Sequence, residues 1–396
     1  MFVDQTAKLG GAELCLADIL VGRNHPADRV LLFQDGPLVE LLRSHHVATT
    51  VCPLSQRGAA VRKGSGPLRK LTSLADVWRL ARKVAGAARD TDVIYANTAK
   101  ALVVSALAGR LAHKPVVYHL HDILSPDHFS WSNRKLLLFL AKRCVNHTIA
   151  NSHASAQCLI DAGVDPATIS VIYNGISPEP FDHAIADSER LRGEIRGALG
   201  IPHATPVLGL FGRFAAWKGQ HVAIEALRQL PGVQLMLVGD ALFGEADYVR
   251  QLKELADQPE LRGRVHFLGF RDDVPALMRA ADIILHCSTA PEPFGRVIVE
   301  AMLAERPIIA SRAGGATEIV RDPVTGLLVE PGSATALAAA VNRLLSGEID
   351  QPAMVAAAAR DARERFDPKK IVGEIEEALR AVCSGQKPLR GVSSWQ

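Results

Sequence analysis

Aromatic residues make up only 5% of the 396-residue chain, and its six cysteines (Cys15, Cys52, Cys144, Cys158, Cys287, Cys383) include no C-x-x-C pair. That spacing argues against a zinc ribbon or a redox motif and predicts reduced thiols in a cytosolic protein. No apolar run approaches the ~20 residues a membrane span needs, and no basic-then-apolar leader opens the chain. The turn after the first apolar run carries neither G-x-G-x-x-G nor a P-loop, which counts against dehydrogenase and ATPase chemistry. What is present is a composition 48% hydrophobic and 22% charged, enough to bury full cores. At this length two domains are expected.

The net charge of +3 is unevenly spread. Residues 1–180 hold 20 Lys and Arg against 14 Asp and Glu, whereas the remainder holds 25 against 28. A basic first half suits an anionic partner: nucleic acid, a membrane surface or a phosphorylated substrate. Nine cations crowd 57–89 (Arg57, Arg62, Lys63, Arg69, Lys70, Arg79, Arg82, Lys83, Arg89) against Asp76 alone. Residues 56–71 read as a mobile basic loop, and 72–89 as a helix with Leu74, Val77, Trp78 and Ala81 on one apolar side.

Thirteen short β-branched apolar runs, from 1–4 to 326–330, alternate with helical stretches such as 99–112, 219–229 and 333–346. Most runs are continuously apolar, which fits parallel strands covered on both faces. The fold class expected is α/β, two Rossmann-like doubly wound sheets. The domains are read as 1–182, a linker at 183–206, a second sheet domain at 207–350, and helices over 351–396 that cross back and end in a disordered tail. The first run is short for a central strand, so the chain's start is expected to lack a few residues.

In such sheets ligands sit at the carboxyl ends of strands, where helix N-termini meet anions. After the first run, Gly10 and Gly11 open a helix and let a ligand approach the backbone, although a tight turn explains them equally well. After 115–120 comes His121, placed for hydrogen bonding or acid–base work. His119 and His121 form an H-x-H on one face of a strand, but the sequence offers no third metal ligand nearby, so no metal is expected. After 207–212 stand Arg213 and Lys218, two cations suited to a diphosphate or simply a surface pair. In APEPFGRVIVEAM (290–302), Glu292 precedes a turn, and Phe294, Gly295 and Arg296 open a helix whose backbone can face phosphate or sugar oxygens. Glu300 lies on that apolar helix, where a carboxylate needs a partner such as a ribose diol or a nearby Arg. Asp90-Thr91-Asp92 precedes a strand and so lies at the wrong end of the sheet for a metal-dependent D-x-D.

Together these pieces resemble glycosyltransferase family 4, retaining GT-B enzymes also grouped as glycosyl transferases group 1. The resemblance rests on GGAE near the start, His121-Asp122, G-R-F-x-x-x-K-G over 212–219, E-P-F-G-x-x-x-x-E over 292–300, SRAGGATEIV (311–320) and TGLLVEPG (325–332). It implies two Rossmann-like domains with a cleft between them and a nucleotide-diphosphate sugar as donor. UDP-sugar and GDP-sugar are both open, and neither cofactor nor metal is required. By the same resemblance Glu292 holds the donor sugar and Glu300 the ribose. Arg213 and Lys218 neutralise the leaving diphosphate, backbone amides around Gly11 and Gly295 assist, and His121 contacts the sugar. Gly10, Gly212, Gly269, Phe270 and Arg271 complete the donor-site expectation, the last three beside the base. The acceptor would be a sugar or lipid-linked molecule of cell-surface polysaccharide or glycolipid synthesis. The protein is expected in the cytoplasm, peripheral at an anionic membrane, and not on nucleic acid. A nucleotide-sugar epimerase or hydrolase and a non-catalytic sugar-nucleotide-binding protein are the competing readings.

Overall fold

Continuous Val/Ile/Leu runs can bury both faces only inside a parallel sheet sandwiched by helices. That is the arrangement found in the computed structural model of the protein, which describes residues 1–53, 67–126, 129–241 and 245–386, and only the backbone of 67–73. Two compact units emerge: Met1–Gly175 with Pro368–Gln396, and Ile176–Asp367.

The first unit is a seven-stranded sheet: β1 (Phe2–Asp4), β2 (Arg29–Leu32), β3 (Ala48–Val51), β4 (Ile94–Ala96), β5 (Val116–Leu120), β6 (His147–Ala150) and β7 (Ile169–Val171). Its order is β3-β2-β1-β4-β5-β6-β7, all parallel. The second unit has six: β8 (Val207–Phe211), β9 (Gln234–Val238), β10 (Val265–Gly269), β11 (Ile283–His286), β12 (Ile308–Ser311) and β13 (Leu327–Val329). These run β10-β9-β8-β11-β12-β13, again parallel. Every apolar run read from the sequence contains one of these strands. In each sheet the order reverses beside its first strand, between β1 and β4 and between β8 and β11. Those reversals open the crevices where α/β folds hold ligands.

The unit boundaries fall elsewhere than the sequence suggests. The stretch read as a linker is helical, Glu179–Ala186 and Ser188–Ala198, and packs against the Val274–Ala280 helix of the second unit. Arg196, fully buried, fixes it by donating to Asp282 Oδ2 at 2.8 Å and to the carbonyls of Ala280, His203 and Thr205. A charged helix could be read as a spacer because two of these partners, Ala280 and Asp282, lie 84 and 86 residues away in sequence. Of the last helices, Gln351–Arg365 stays with the second unit against Arg296–Leu303. Pro368–Cys383 alone joins the first, burying Ile371, Ile375, Ala378 and Leu379 beside the Gly11–Arg23 helix. That i, i+4, i+7, i+8 stripe supplies the docking force, about 1.5–3 kcal/mol for each large side chain. The tail expected to be disordered, 387–396, lies outside the described residues.

The basic loop expected over 56–71 is helical from its Pro67 end, since one helix runs Pro67–Ala87; residues 54–66 lie outside the described residues. The buried stripe of this helix is Leu80, Ala81, Val84 and Ala85, with Val77 packed beside it. Leu74 and Trp78, read on the same apolar side, stay 66% and 48% exposed. The stripe is thus rotated from the sequence reading by the sheet it covers.

Candidate active site

The carboxyl edge of the second sheet gathers most of the expected donor residues. Gly212-Arg213 follow β8, and a single 3₁₀ turn, Ala216–Lys218, carries Lys218 back over the sheet. Gly219 follows with φ 72°, a left-handed conformation that suits glycine. Any Cβ there would stand 1.9 Å from the Cys287 carbonyl oxygen at the end of β11. This close approach brings the turn after β8 against the segment after β11. There the Lys218 Nζ donates to both carboxylate oxygens of Glu292 at 2.7 Å.

Glu292 is 8% exposed and held from three more directions. Ser288 Oγ donates to its Oε2 at 2.8 Å, His286 Nε2 lies 3.3 Å from the same oxygen, and the Gly315 amide donates to its backbone carbonyl at 2.8 Å. Burial alone would raise the carboxyl pKa, but the Lys218 charge and the His286 hydrogen bond outweigh it and hold the group well below the usual carboxylate range. Glu292 is therefore an anion locked in position. The Lys218 ammonium also sits 4.3 Å from the centre of the Trp217 ring.

Around this pair, Arg213 Nη1 lies 3.6 Å from Glu245 Oε1, and its own carbonyl accepts from Gln220. Glu300, one helical turn beyond Arg296, accepts from the Arg296 Nε at 2.9 Å, so a nearby Arg, one of the two partners weighed from sequence, is present. Phe294 is buried edge-on against Phe366, ring centres 5.6 Å apart, and offers only backbone to a ligand. After β10, Gly269 turns the chain, Phe270 stands 64% exposed, and Arg271 is forked onto Asp273 at 2.6 and 2.7 Å.

The first sheet's carboxyl edge has its own cluster. Gly10 caps the Gly11–Arg23 helix, and a Cβ on it would reach within 2.6 Å of Glu13 Oε2. His121 Nε2 lies 3.0 Å from Asn97 Oδ1. Burial pushes the His121 pKa down to about 3, so the imidazole is neutral.

Two family models cover most of the chain: glycosyl transferases group 1 over 192–362, and glycosyltransferase family 4 over 38–180. The crystal structure of Anabaena HepE in complex with UDP and glucose is 43% identical, with a TM-score of 0.85 over 96% of this chain and 98% of that one. The chain belongs to the glycosyl transferases group 1 family. Its two parallel-sheet units are those of a GT-B glycosyltransferase. Among curated relatives, the lipopolysaccharide core biosynthesis glycosyltransferase LpsE of Rhizobium meliloti is 36% identical over 38% of this chain. The D-inositol 3-phosphate glycosyltransferase of Xylanimonas cellulosilytica is 32% identical over 55%. The chain spans about half the length of these two, 43% and 52% respectively.

Four residues of this family member's sites escaped the sequence reading although they follow or end strands. His286 and Ser288 support Glu292 from the end of β11. Asp4, ending β1, accepts from Asn97 Nδ2 at 2.6 Å and Thr98 Oγ1 at 3.0 Å, while Asn97 also donates to the Ala12 carbonyl. Reading the last residue of each strand and the two that follow would have found them.

Asp4 and Glu13 are both buried. Desolvation, then for Glu13 the Asp4 charge, raises their pKa values to about 6 and about 8. The folded state therefore binds more protons than the unfolded chain between about pH 4 and pH 8, and this pair's contribution falls as pH rises through that window. The buried neutral histidines His119, His121 and His147 act in the opposite sense. A difference measurement isolates the carboxylate: relative to wild type, Glu13→Gln gains thermal stability progressively from pH 5 to pH 8. A pH-independent difference in melting temperature would contradict the assignment.

Proposed function

We propose that this protein is a retaining glycosyltransferase that moves a sugar from a nucleotide-diphosphate sugar to an acceptor hydroxyl without a catalytic metal. The observation that carries the reading is the Lys218–Glu292 pair at the β8/β11 reversal, in the segment after β8 that also carries Arg213. A fixed anion in hydrogen-bond contact with a fixed cation suits a sugar hydroxyl on one side and a phosphate oxygen on the other. Arg213 and Lys218 stabilise the charge that develops on the leaving diphosphate. Same-face attack follows, with the departing phosphate accepting the acceptor's proton. UDP-sugar is favoured over GDP-sugar by the UDP complex of the 43% identical HepE. His121 supplies a neutral hydrogen bond to a sugar hydroxyl.

The acceptor class proposed is a cell-surface glycolipid or polysaccharide, in line with the LpsE similarity. The protein works in the cytoplasm against an anionic membrane in this reading. Among the described residues, no helix is long and apolar enough to cross one. The Trp131–Arg143 helix leaves Trp131 68%, Leu136 45% and Phe139 58% exposed, with Lys135 Nζ over the Trp131 ring at 3.9 Å and Lys142 and Arg143 at its end. Aromatic and leucine side chains between cations suit an interface. Vesicles containing anionic lipid should co-sediment the protein at low salt and release Trp131→Ser/Phe139→Ser; equal binding of both proteins would exclude this helix.

The reaction itself is tested with UDP-glucose and a lipid-linked sugar acceptor in excess EDTA. Full transfer with the donor's anomeric configuration kept in the product, read by NMR, is expected. Inversion, strict dependence on magnesium or manganese, or free sugar as sole product would overturn the mechanism.

A further inference from the structure

The H-x-H of β5 has a third partner that its own sequence neighbourhood does not contain. Cys15, on the Gly11–Arg23 helix, brings its Sγ within 4.8 Å of one nitrogen each of His119 and His121. Among the described residues no other group of three such side chains forms. The two-ligand count that argued against a metal becomes a three-ligand one.

Each histidine also keeps one nitrogen unused. Asn97 spends its Nδ2 on Asp4 and the Ala12 carbonyl, so its Oδ1 is the acceptor for His121 Nε2–H. That tautomer leaves a bare lone pair on His121 Nδ1. On His119 the Nδ1 lies 2.6 Å from the Tyr95 hydroxyl, and when it donates there the Nε2 lone pair is bare as well. Both His119 Nε2 and His121 Nδ1 are buried without a hydrogen-bond partner. An imidazole whose far nitrogen is tied to an oxygen is the usual outer-shell arrangement of a metal-binding histidine.

We propose that Cys15, His119 and His121 form a site for a soft divalent ion, with Zn²⁺ the natural occupant of a thiolate–imidazole set. The Cys15 thiol, which donates to Asn174 Oδ1 at 3.3 Å, gives its proton to water as the Sγ–metal bond forms. Zinc–ligand bonds of about 2.0–2.3 Å require the three atoms to close by on the order of 1 Å, within reach of side-chain rotation. His121 is only partly covered, which gives the ion an entry, and a fourth position is left for water or a sugar hydroxyl. Occupancy fixes the His121 ring and places a cation where the proposed reaction needs a neutral hydrogen bond. The ion therefore inhibits, and only this consequence rests on the functional reading above.

The binding test needs no activity. The full chain, stripped with EDTA, is titrated with Zn²⁺ against a chromogenic chelator and separately with Co²⁺. One high-affinity ion per chain and a thiolate-to-cobalt charge-transfer band are expected. Cys15→Ser should abolish the band and weaken Zn²⁺ binding more than about 100-fold, beyond what losing an outer-shell group costs. The exposed thiol control, Cys383→Ser, should change neither. Tyr95→Phe should weaken binding about 10–100-fold while keeping the band. A Cys15→Ser protein with wild-type melting that retains the band and the stoichiometry overturns the site. Given measurable transfer, Zn²⁺ should inhibit wild type and spare Cys15→Ser, whose metal-free activity is unchanged. Equal inhibition of both overturns the regulatory role. Absence of any transfer would count against the enzyme reading alone.

Discussion

Lys218→Ala is expected to lower the turnover number by about 10²-fold or more, because its charge matters most as the diphosphate departs. The same change removes the partner of a buried carboxylate. Glu292 keeps Ser288 and His286 but loses the doubly bonded ammonium at 2.7 Å. Breaking such a pair costs about 3–5 kcal/mol, since the anion is left buried and uncompensated. Activity and stability should therefore fall together, and they can be separated. Lys218→Met combined with Glu292→Gln removes both charges and should recover most of the melting temperature while transfer stays lost. Arg213→Ala provides the contrast. Its contact with Glu245 is at 3.6 Å and both side chains are partly exposed, so turnover should fall about 10²-fold with a smaller drop in melting than in Lys218→Ala. If Lys218→Ala kept its turnover number, or the double variant melted as low as the single one, the pair would have no such role.

Strand positions were legible because most runs are apolar without alternation and are followed by a turn or a helix start. The E-x₇-E segment was legible for a similar reason: a Pro-Phe-Gly turn and an apolar helix fix where both carboxylates fall. What joins them to the rest was not. Lys218 and Glu292 are 74 residues apart in sequence, and only the order β8-β11 makes them neighbours. Arg196 is one of several charges on its helix by sequence, and only the fold surrounds it with four partners from two other segments, 203–205 and 280–282. His121 shows a subtler limit. Its position after β5 was readable, but its protonation state depends on burial, which spacing does not encode. Cys15 entered no motif, because the helix that carries it reaches β5 across β1 and β4.

Glu300 carries the second large effect. In the Arg296–Leu303 helix its carboxylate is 15% exposed and accepts from Arg296 Nε at 2.9 Å. A ribose 2′,3′-diol offers two hydroxyls to one carboxylate, and the negative charge strengthens both bonds. Glu300→Gln keeps the shape and removes the charge. The expected loss is about 1–3 kcal/mol of nucleotide affinity, roughly 5- to 150-fold in Kd. The amide oxygen of the variant can still accept from Arg296 Nε, and a melting curve of Glu300→Gln recorded beside the titration separates lost fold from lost binding. The direct test is calorimetric titration of UDP into wild type and Glu300→Gln under identical salt. The account predicts tight binding to the first and a Kd raised by that factor in the second; equal affinities would contradict a donor nucleotide held at this helix.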